Sequence, residues 1–266
     1  GGRFHVEVTC WDEDLNVGDG VPMQLTDDSG YFWFFTADNI ELVVKVLDAC
    51  PPPYNRFWVF AAGLTNVEVT MTVTDTVAGD VNVYVNQLGD PFLPILDTDA
   101  FATCDATAAA LPRPLSPMME MAALDALPVA ASREDSKIAT AQGPLYLNSD
   151  RFRIDVAWED FQANPGAGHP VQLTDGSGYF WFFDADNIEL VVKVLDACTP
   201  PYHRFWVFAA GLTNVEVTMT VLDTVAEEEK VYTNPLGRAF EPILDTDAFA
   251  TCGAANPFET RVPRRR

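Results

Sequence analysis

Hydrophobic and polar residues alternate along several short segments of the chain, which is the pattern of half-buried β-strands. In Arg3–Thr9, the side chains of Phe4, Val6 and Val8 face one side and polar side chains face the other. Val67–Thr74 alternates in the same way. We therefore predict antiparallel strands that each have one face in a core and one in solvent.

Three other segments are apolar at almost every position, namely Tyr31–Phe35, Ile40–Leu47 and Phe57–Ala62. Such runs are typical of strands that are covered on both faces. A helix is the competing interpretation of Ile40–Leu47, but its β-branched residues favour a strand. We expect Glu41 and Lys45 on the less buried face of that strand.

Most of these segments occur twice. Ser29–Cys50 returns as Ser177–Cys198, 148 positions later, with one difference at Thr36. Arg56–Val73 and Pro94–Cys104 return without change at the same spacing. The chain is therefore a tandem duplication, and a unit of about 100 residues is large enough to bury its own core.

Turn residues separate the strands in each copy. Asp27–Gly30 and Asp75–Asp80 are turn sequences, and the second leads into a further strand, Val81–Val85. We count six or seven strands per copy and no convincing helix. The prediction is an all-β protein with two tandem antiparallel β-sandwich domains of the immunoglobulin-like type.

The predicted domain boundaries follow from the repeats. Residues 1–104 form the first repeat and residues 145–252 the second. Residues 105–144 are a long linker rich in alanine and proline, with a short helix at Met118–Leu127, and residues 253–266 are a basic tail.

The repeat resembles one found in predicted secreted bacterial proteins, where it often occurs in tandem and has no established activity. The resemblance lies in RFHVEVT, GYFWFF, DNIELVVKVLDA and RFWVFAAGLTNVEVTMTV, and in VYTNPLG of the second copy. It covers both copies, although the first departs from it at Asn86-Gln87 and Cys10. It implies export and a β-rich module.

Composition limits the partners. The 266 residues are 48% hydrophobic and carry a net charge of −23, although Arg261, Arg264, Arg265 and Arg266 are all in the tail. Such an acidic body repels nucleic acid and anionic membranes, and no apolar run reaches the roughly 18 residues of a membrane helix. Either the charge serves solubility alone, or the basic tail binds the acidic body of a neighbouring copy.

Four of the five cysteines fall at matched positions. We predict the pairs Cys50–Cys104 and Cys198–Cys252, and hence an oxidising compartment outside the cell. Reduced core cysteines are the alternative. Cys10 has no counterpart if Trp11 matches Trp158. Because the chain begins with Gly1 rather than methionine, we expect it to be a processed or partial product.

One asymmetry concerns the first strand. Leu145-Tyr146-Leu147 precedes the second repeat and alternates like a strand, whereas nothing equivalent precedes the first repeat at Gly1. We expect an open edge along Phe4, Val6 and Val8 that a neighbouring chain fills by strand addition. The alternative is that the segment was cleaved off or is not needed.

The residues that carry chemistry give weak signals. His5, His169 and His203 have no histidine at the matched positions, so no general base is common to the repeats. The acids of the repeated PILDTDAF block are candidate calcium ligands or an acid/base pair. They are Asp97, Asp99, Asp245 and Asp247. A local turn is the alternative explanation for these acids.

The acids Asp12, Glu13, Asp14 and Asp19 resemble a calcium loop, but they lack the glycine and glutamate of an EF-hand. We therefore expect no cofactor, with calcium as the one ion to consider.

Aromatic side chains offer a carbohydrate platform if they are exposed, and form core if they are not. The candidates are Tyr31, Trp33, Trp58, Tyr179, Trp181 and Trp206.

Taken together, the sequence favours a secreted structural protein, not an enzyme, that assembles with copies of itself into an extracellular filament or surface layer by strand pairing. The alternative is a secreted binding or adhesion module, with carbohydrate as its ligand and duplication supplying avidity. A hydrolase would depend on Asp97 or Asp245.

Overall fold

The computed structural model describes residues 2–12, 17–105 and 143–254. The predicted helix at Met118–Leu127 and most of the predicted linker and tail lie outside these ranges. Every regular element in the described residues is a β-strand, nine in the first repeat and ten in the second. None of these residues forms a helix long and apolar enough to cross a membrane.

The strands of the first repeat are β1 (Phe4–Trp11), β2 (Val17–Asp19), β3 (Val21–Gln24), β4 (Ser29–Trp33), β5 (Ile40–Ala49), β6 (Arg56–Gly63), β7 (Glu68–Asp75), β8 (Val81–Asn86) and β9 (Ile95–Phe101). The strands of the second repeat are β10 (Leu145–Leu147), β11 (Phe152–Glu159), β12 (Pro165–Ala167), β13 (His169–Thr174), β14 (Ser177–Trp181), β15 (Ile188–Ala197), β16 (Arg204–Gly211), β17 (Glu216–Asp223), β18 (Glu228–Asn234) and β19 (Ile243–Phe249).

Each repeat is a sandwich of two antiparallel sheets. In the first repeat, a sheet of order β2-β1-β7-β8 packs on a sheet of order β3-β4-β5-β6-β9. The second repeat has the equivalent sheets, and β10 is added at the edge of β11. The prediction of an all-β fold with antiparallel sandwiches is thus confirmed.

The immunoglobulin-like strand order is not found. Four consecutive strands, β3 to β6, lie side by side in one sheet, whereas an immunoglobulin domain divides its strands as ABED and CFG. Alternation along a segment indicates where a strand lies, but not which sheet it joins. Sheet membership depends on pairing between distant segments, which the pattern of a single strand does not contain.

The predicted strands appear close to their expected positions. In β7, Val69, Met71 and Val73 are fully buried, and the threonines between them are partly exposed. The segment from Ile40 is the strand β5, so the helical interpretation is wrong. Three strands of the first repeat, β2, β3 and β9, have no predicted counterpart, and β2 is only three residues long. Pro22 interrupts the pattern of β3, and a bulge interrupts that of β9.

The predicted disulfides are both present. Cys50 pairs with Cys104 and Cys198 pairs with Cys252, each joining residues 54 positions apart. In the chain-entropy model, closing a loop of this length contributes on the order of 4 kcal/mol. Near each disulfide, an arginine binds a fully buried aspartate: Arg3 Nη2 lies 2.7 Å from Asp75 Oδ2.

The pKa of Asp75 reflects this contact. Burial raises it, but hydrogen bonds from Arg3, Thr103 and the backbone N–H groups of Val77 and Ala78 outweigh burial and lower it to about 2. The carboxylate therefore stays ionised and keeps the start of β1 attached to the end of β7.

The two repeats pack against each other through their five-stranded sheets. Ile40, Val43 and Leu64 of the first repeat share one apolar cluster with Ile188 and the matching residues of the second. The molecule therefore has four layers of sheet. This explains why β4, β5 and β6 are apolar on both faces, since one face meets the other sheet of the same repeat and the other face meets the second repeat.

The expectation that Glu41 and Lys45 lie on the less buried face is wrong. They are 4% and 2% exposed, because the second repeat covers the face that carries them. Lys45 Nζ donates to Asn187 Oδ1 at 2.6 Å and to the carbonyl of Ile188 at 2.9 Å. It also lies 3.9 Å from Glu189 Oε1.

The second repeat makes the same contacts in return. Lys193 Nζ donates to Asn39 Oδ1 at 2.6 Å and lies 3.8 Å from Glu41 Oε2. Burial lowers the pKa of each lysine to about 8, although the facing glutamate opposes the shift. Burial also raises the pKa of each glutamate, against the attraction of the lysine. The interface is self-complementary, with one patch used by both repeats.

Replacing one member of this network should be costly. In Lys45→Met, Glu189 is left buried without its cation, and we expect the free energy of unfolding to fall by about 3–5 kcal/mol. Lys45→Met combined with Glu189→Leu removes both charges and should recover most of that loss. Urea denaturation measures both variants, with Lys230→Met on the edge strand β18 as the control. A double variant no more stable than Lys45→Met would contradict this description of the interface.

Candidate functional site: an open strand position in the first repeat

In the second repeat, β10 completes the sandwich. It pairs antiparallel with β11, with Leu145 opposite Ile154 and Leu147 opposite Phe152. Both leucines are buried in the core, whereas Tyr146 between them is 40% exposed. The alternation of the three residues therefore places two aliphatic side chains between the two sheets.

Backbone and side-chain hydrogen bonds fix the end of β10. The Asn148 N–H donates to the carbonyl of Asp175 at 2.6 Å, and its side-chain amide donates to the carbonyl of Val194 at 3.1 Å. The turn into β11 then passes through three left-handed residues, Asn148, Ser149 and Asp150, with φ of 54°, 55° and 64°.

No described strand of the first repeat occupies this position. Among the described residues, β1 pairs with β7 along its length and with β2 only from Thr9 to Trp11, so no strand covers the other edge at Phe4–Val6. A groove of about 570 Å³ lies beside this edge. Its walls include Phe4, Val6, Phe32 and Val46.

Residues around the groove are more exposed than their counterparts. Phe152 and Ile154 are fully buried in the second repeat, but the matching Phe4 and Val6 are only partly buried. Pro170 is buried beside β10, whereas the matching Pro22 is exposed. The groove of the first repeat is therefore the position that β10 fills in the second.

The groups that hold β10 are retained in the first repeat. Asp27 matches Asp175, and Val46 matches Val194, so both carbonyl acceptors have counterparts. Gly2 matches Asp150 and has a left-handed φ of 81°. Glycine takes this conformation without strain, so Gly2 has the same left-handed conformation as Asp150 at the end of the β10–β11 turn.

The rim of the groove is acidic. Asp27, Asp28 and Asp48 line it and are exposed. The nearby guanidinium of Arg3 is directed to Asp75 and to the carbonyl of Thr103, at 2.7 Å and 2.6 Å. The sequence pattern does not indicate this rim, because Asp27 and Asp28 occur in a segment whose composition is typical of a turn.

The predicted edge residues thus divide into two groups. Phe4 and Val6 border the open position, and Leu145, Tyr146 and Leu147 form the strand that fills its counterpart. Val8 is 3% exposed and lies outside the open part of the edge.

A second unpaired edge lies along β8, because β8 is the last strand of its sheet. Val81, Val83 and Val85 are 52%, 56% and 55% exposed there. The matching residues of β18 are Glu229, Val231 and Thr233. The second repeat thus protects this edge with charge and the first does not. No described strand pairs with the outer edge of β18, so the second repeat offers no template for a strand at the edge of β8.

The calcium candidates make protein contacts in both repeats. Asp97 accepts hydrogen bonds from the Tyr84 hydroxyl at 2.8 Å and from the Asp99 N–H at 2.9 Å. Asp99 binds Arg56 at 2.9 Å. Asp245 and Asp247 repeat these contacts with Tyr232 and Arg204. Asp99 and Asp247 lie in the bulges of β9 and β19, and Asp97 and Asp245 are the paired residues at which these bulges begin.

The loop acids Glu13 and Asp14 lie outside the described residues. Within the described ranges, no cluster of three or more histidine, cysteine or acidic side chains has the arrangement of a metal site.

The aromatic candidates are not one surface. Tyr31 and Tyr179 are buried between the repeats, where Trp33 and Trp181 pack against the same cluster. Trp58 and Trp206 are not members of that cluster and remain partly exposed.

The histidines are also dispersed. His5 is exposed on β1 and lies 3.4 Å from Glu7, whereas His169 stacks on Trp181 with ring centroids 3.8 Å apart. His203 lies before β16 in a left-handed conformation, like the matching Asn55.

The expectation that Cys10 has no counterpart is wrong. Cys10 pairs with Val69 and Trp158 pairs with the matching Val217, so Cys10 is the counterpart of Trp158. The inward alternation of β1 buries Cys10 and leaves Trp11 43% exposed. Burial raises the pKa of the Cys10 thiol, which is the free thiol among the five cysteines.

Comparisons with known proteins gave no match to a family model, a curated protein or a solved structure. The resemblance to a repeat of secreted bacterial proteins therefore stays a prediction, and the site is interpreted from its geometry.

A strand supplied at the groove beside β1 should stabilise the first repeat. We expect Pro-Leu-Tyr-Leu-Asn, placed directly before Gly1, to form a strand on β1 and raise the thermal midpoint by a few degrees. Each leucine that becomes buried contributes about 1.5–3 kcal/mol before the cost of ordering the chain. The control extension has aspartate in place of both leucines. Equal midpoints for the two extensions, measured by calorimetry, would show that the groove does not accept a strand.

Proposed function

We propose that this protein is a secreted structural subunit that assembles with copies of itself, by accepting a β-strand from a neighbouring subunit into the groove beside β1. The assembly is an extracellular filament or surface layer. The observation that carries the proposal is the groove itself, because its counterpart in the same chain is filled by a strand.

Strand addition suits this groove for physical reasons. An incoming strand satisfies backbone groups along an edge and places alternate side chains in the space between the sheets. Here, Leu145 and Leu147 are the template for the buried positions, and Tyr146 for the exposed one. An edge left open in solution is a site of association.

The remaining features are compatible with life outside the cell. Two disulfides within the described residues favour an oxidising compartment. The packing of the repeats through Lys45, Lys193 and their glutamates makes one body from two domains, which suits a subunit that transmits force.

A binding module for carbohydrate is the second candidate. Tyr54 is 58% exposed and packs edge-on against Trp58, with centroids 4.9 Å apart. Tyr202 and Trp206 repeat this pair in the second repeat. Paired exposed aromatics can stack on sugar rings, and saturable glycan binding that is lost in Trp58→Ala and Trp206→Ala would support this alternative.

Assembly is tested on the full oxidised chain by sedimentation velocity and electron microscopy over a range of concentrations. We expect oligomers that grow with concentration, because each bound strand extends the chain of subunits. The variant with Pro-Leu-Tyr-Leu-Asn before Gly1 has a filled groove and should stay monomeric. Val83→Lys on β8 is the control and should assemble normally.

Two results would overturn the proposal. One is a wild-type chain that stays monomeric at every concentration. The other is a native protein in which residues upstream of Gly1 already occupy the groove. If Val83→Lys abolishes assembly and groove filling does not, the contact is made by β8 instead.

A further inference from the structure

The groove and the C-terminal tail have complementary charge. Asp27, Asp28 and Asp48 form the rim of the groove. The tail, residues 253–266, contains four arginines, one of them at position 261 and three at positions 264–266. Attraction between an acidic site and a basic segment increases the rate of encounter and fixes orientation.

The tail also contains a strand-like pattern. Phe258, Thr260 and Val262 alternate with Glu259 and Arg261, so apolar or small side chains fall on one side and charged side chains on the other. Pro257 and Pro263 flank this segment and limit it to five residues. The pattern matches β10, which has buried aliphatic residues at alternate positions and an exposed residue between them.

We propose that residues 258–262 of one copy are the strand that fills the groove of the next copy. The segment lies antiparallel to β1 on the edge at Phe4–Val6, as β10 lies on β11. Two of its alternating side chains take the positions of Leu145 and Leu147, and the arginines that follow lie near the acidic rim. This inference rests on the proposed function and names the donor.

The geometry of such a contact is head-to-tail. The tail and the groove are different surfaces, so each copy has one donor and one acceptor, and the contact repeats without closing unless the rotation forms a ring. A linear assembly follows directly. The second repeat does not compete for the tail, because β10 already occupies its groove.

The test uses the full chain with the double substitution Phe258→Ser and Val262→Ser, which keeps the net charge of the tail. We expect this variant to stay monomeric under conditions in which wild type assembles. Glu259→Gln, on the other side of the segment, is the matched control and should assemble. Normal assembly of the double variant would overturn the inference.

Binding is measured directly with a fluorescent peptide of residues 255–266 and the double variant as acceptor. We expect saturable binding that weakens with salt and falls about tenfold or more when the peptide carries both serines, because two buried contacts are lost. The groove-filled form of the acceptor should not bind the peptide. Equal binding to that form would show attraction to the acidic body rather than to the groove, and would overturn the inference.

A peptide of residues 143–149, which contains β10, separates this inference from the proposed function. If the β10 peptide binds the groove, the tail peptide does not, and wild type still assembles, the donor is another strand and only the inference fails. If wild type does not assemble at all, the proposed function fails with it.

Discussion

The structure depends on the burial of four charged side chains between the two repeats. Lys45 faces Glu189, and Lys193 faces Glu41, in a cluster that is otherwise apolar. A buried charge is tolerated only when it is paired and hydrogen-bonded. The pairing therefore fixes which face of each repeat meets the other, and in what register.

This constraint explains the sequence identity of the repeats along β5 and β15. A self-complementary interface needs the same residues on both sides, since each lysine binds the asparagine and glutamate of the opposite strand. The outer sheets differ at their exposed edges, where Val81 and Val85 of β8 are replaced by Glu229 and Thr233 of β18, although β7 and β17 beside them differ at one residue only.

The same packing leaves the sheet that contains β1 and the sheet that contains β11 on the outside of the four layers. There the repeats differ at one edge, because β10 closes the second repeat and no described strand closes the first. The groove is lined by Val44 and Val46 of β5, which alternate with Lys45 and face the other side of that strand, so a strand can add there without disturbing the buried ion pairs. The described residues thus combine a buried, ion-paired centre with an outer sheet whose edge at residues 4–6 is unpaired among them, and this combination supports the proposed role as a structural subunit.

Local patterns in the sequence predicted much of the fold. Alternation along Arg3–Thr9 and Val67–Thr74 indicated strands, and matched cysteines indicated the disulfides. Sheet order and the burial of Lys45 were not predictable in this way, because both depend on segments distant in the chain. A signal was nevertheless present, since a lysine and a glutamate inside an unbroken apolar run, repeated identically, indicate a paired burial. The open edge stays a prediction, and the acidic rim of the groove beside residues 4–6 depends on the three-dimensional arrangement.

Hydrogen exchange followed by mass spectrometry tests the open strand position most directly. In the unassembled chain, we predict that those backbone amides of residues 4–6 that point away from β7 exchange much faster than the matching amides of residues 152–154, which β10 covers. On assembly, the amides of residues 4–6 should become as protected as their counterparts. Equal protection of the two segments in the unassembled chain, or no change at residues 4–6 on assembly, would contradict the account.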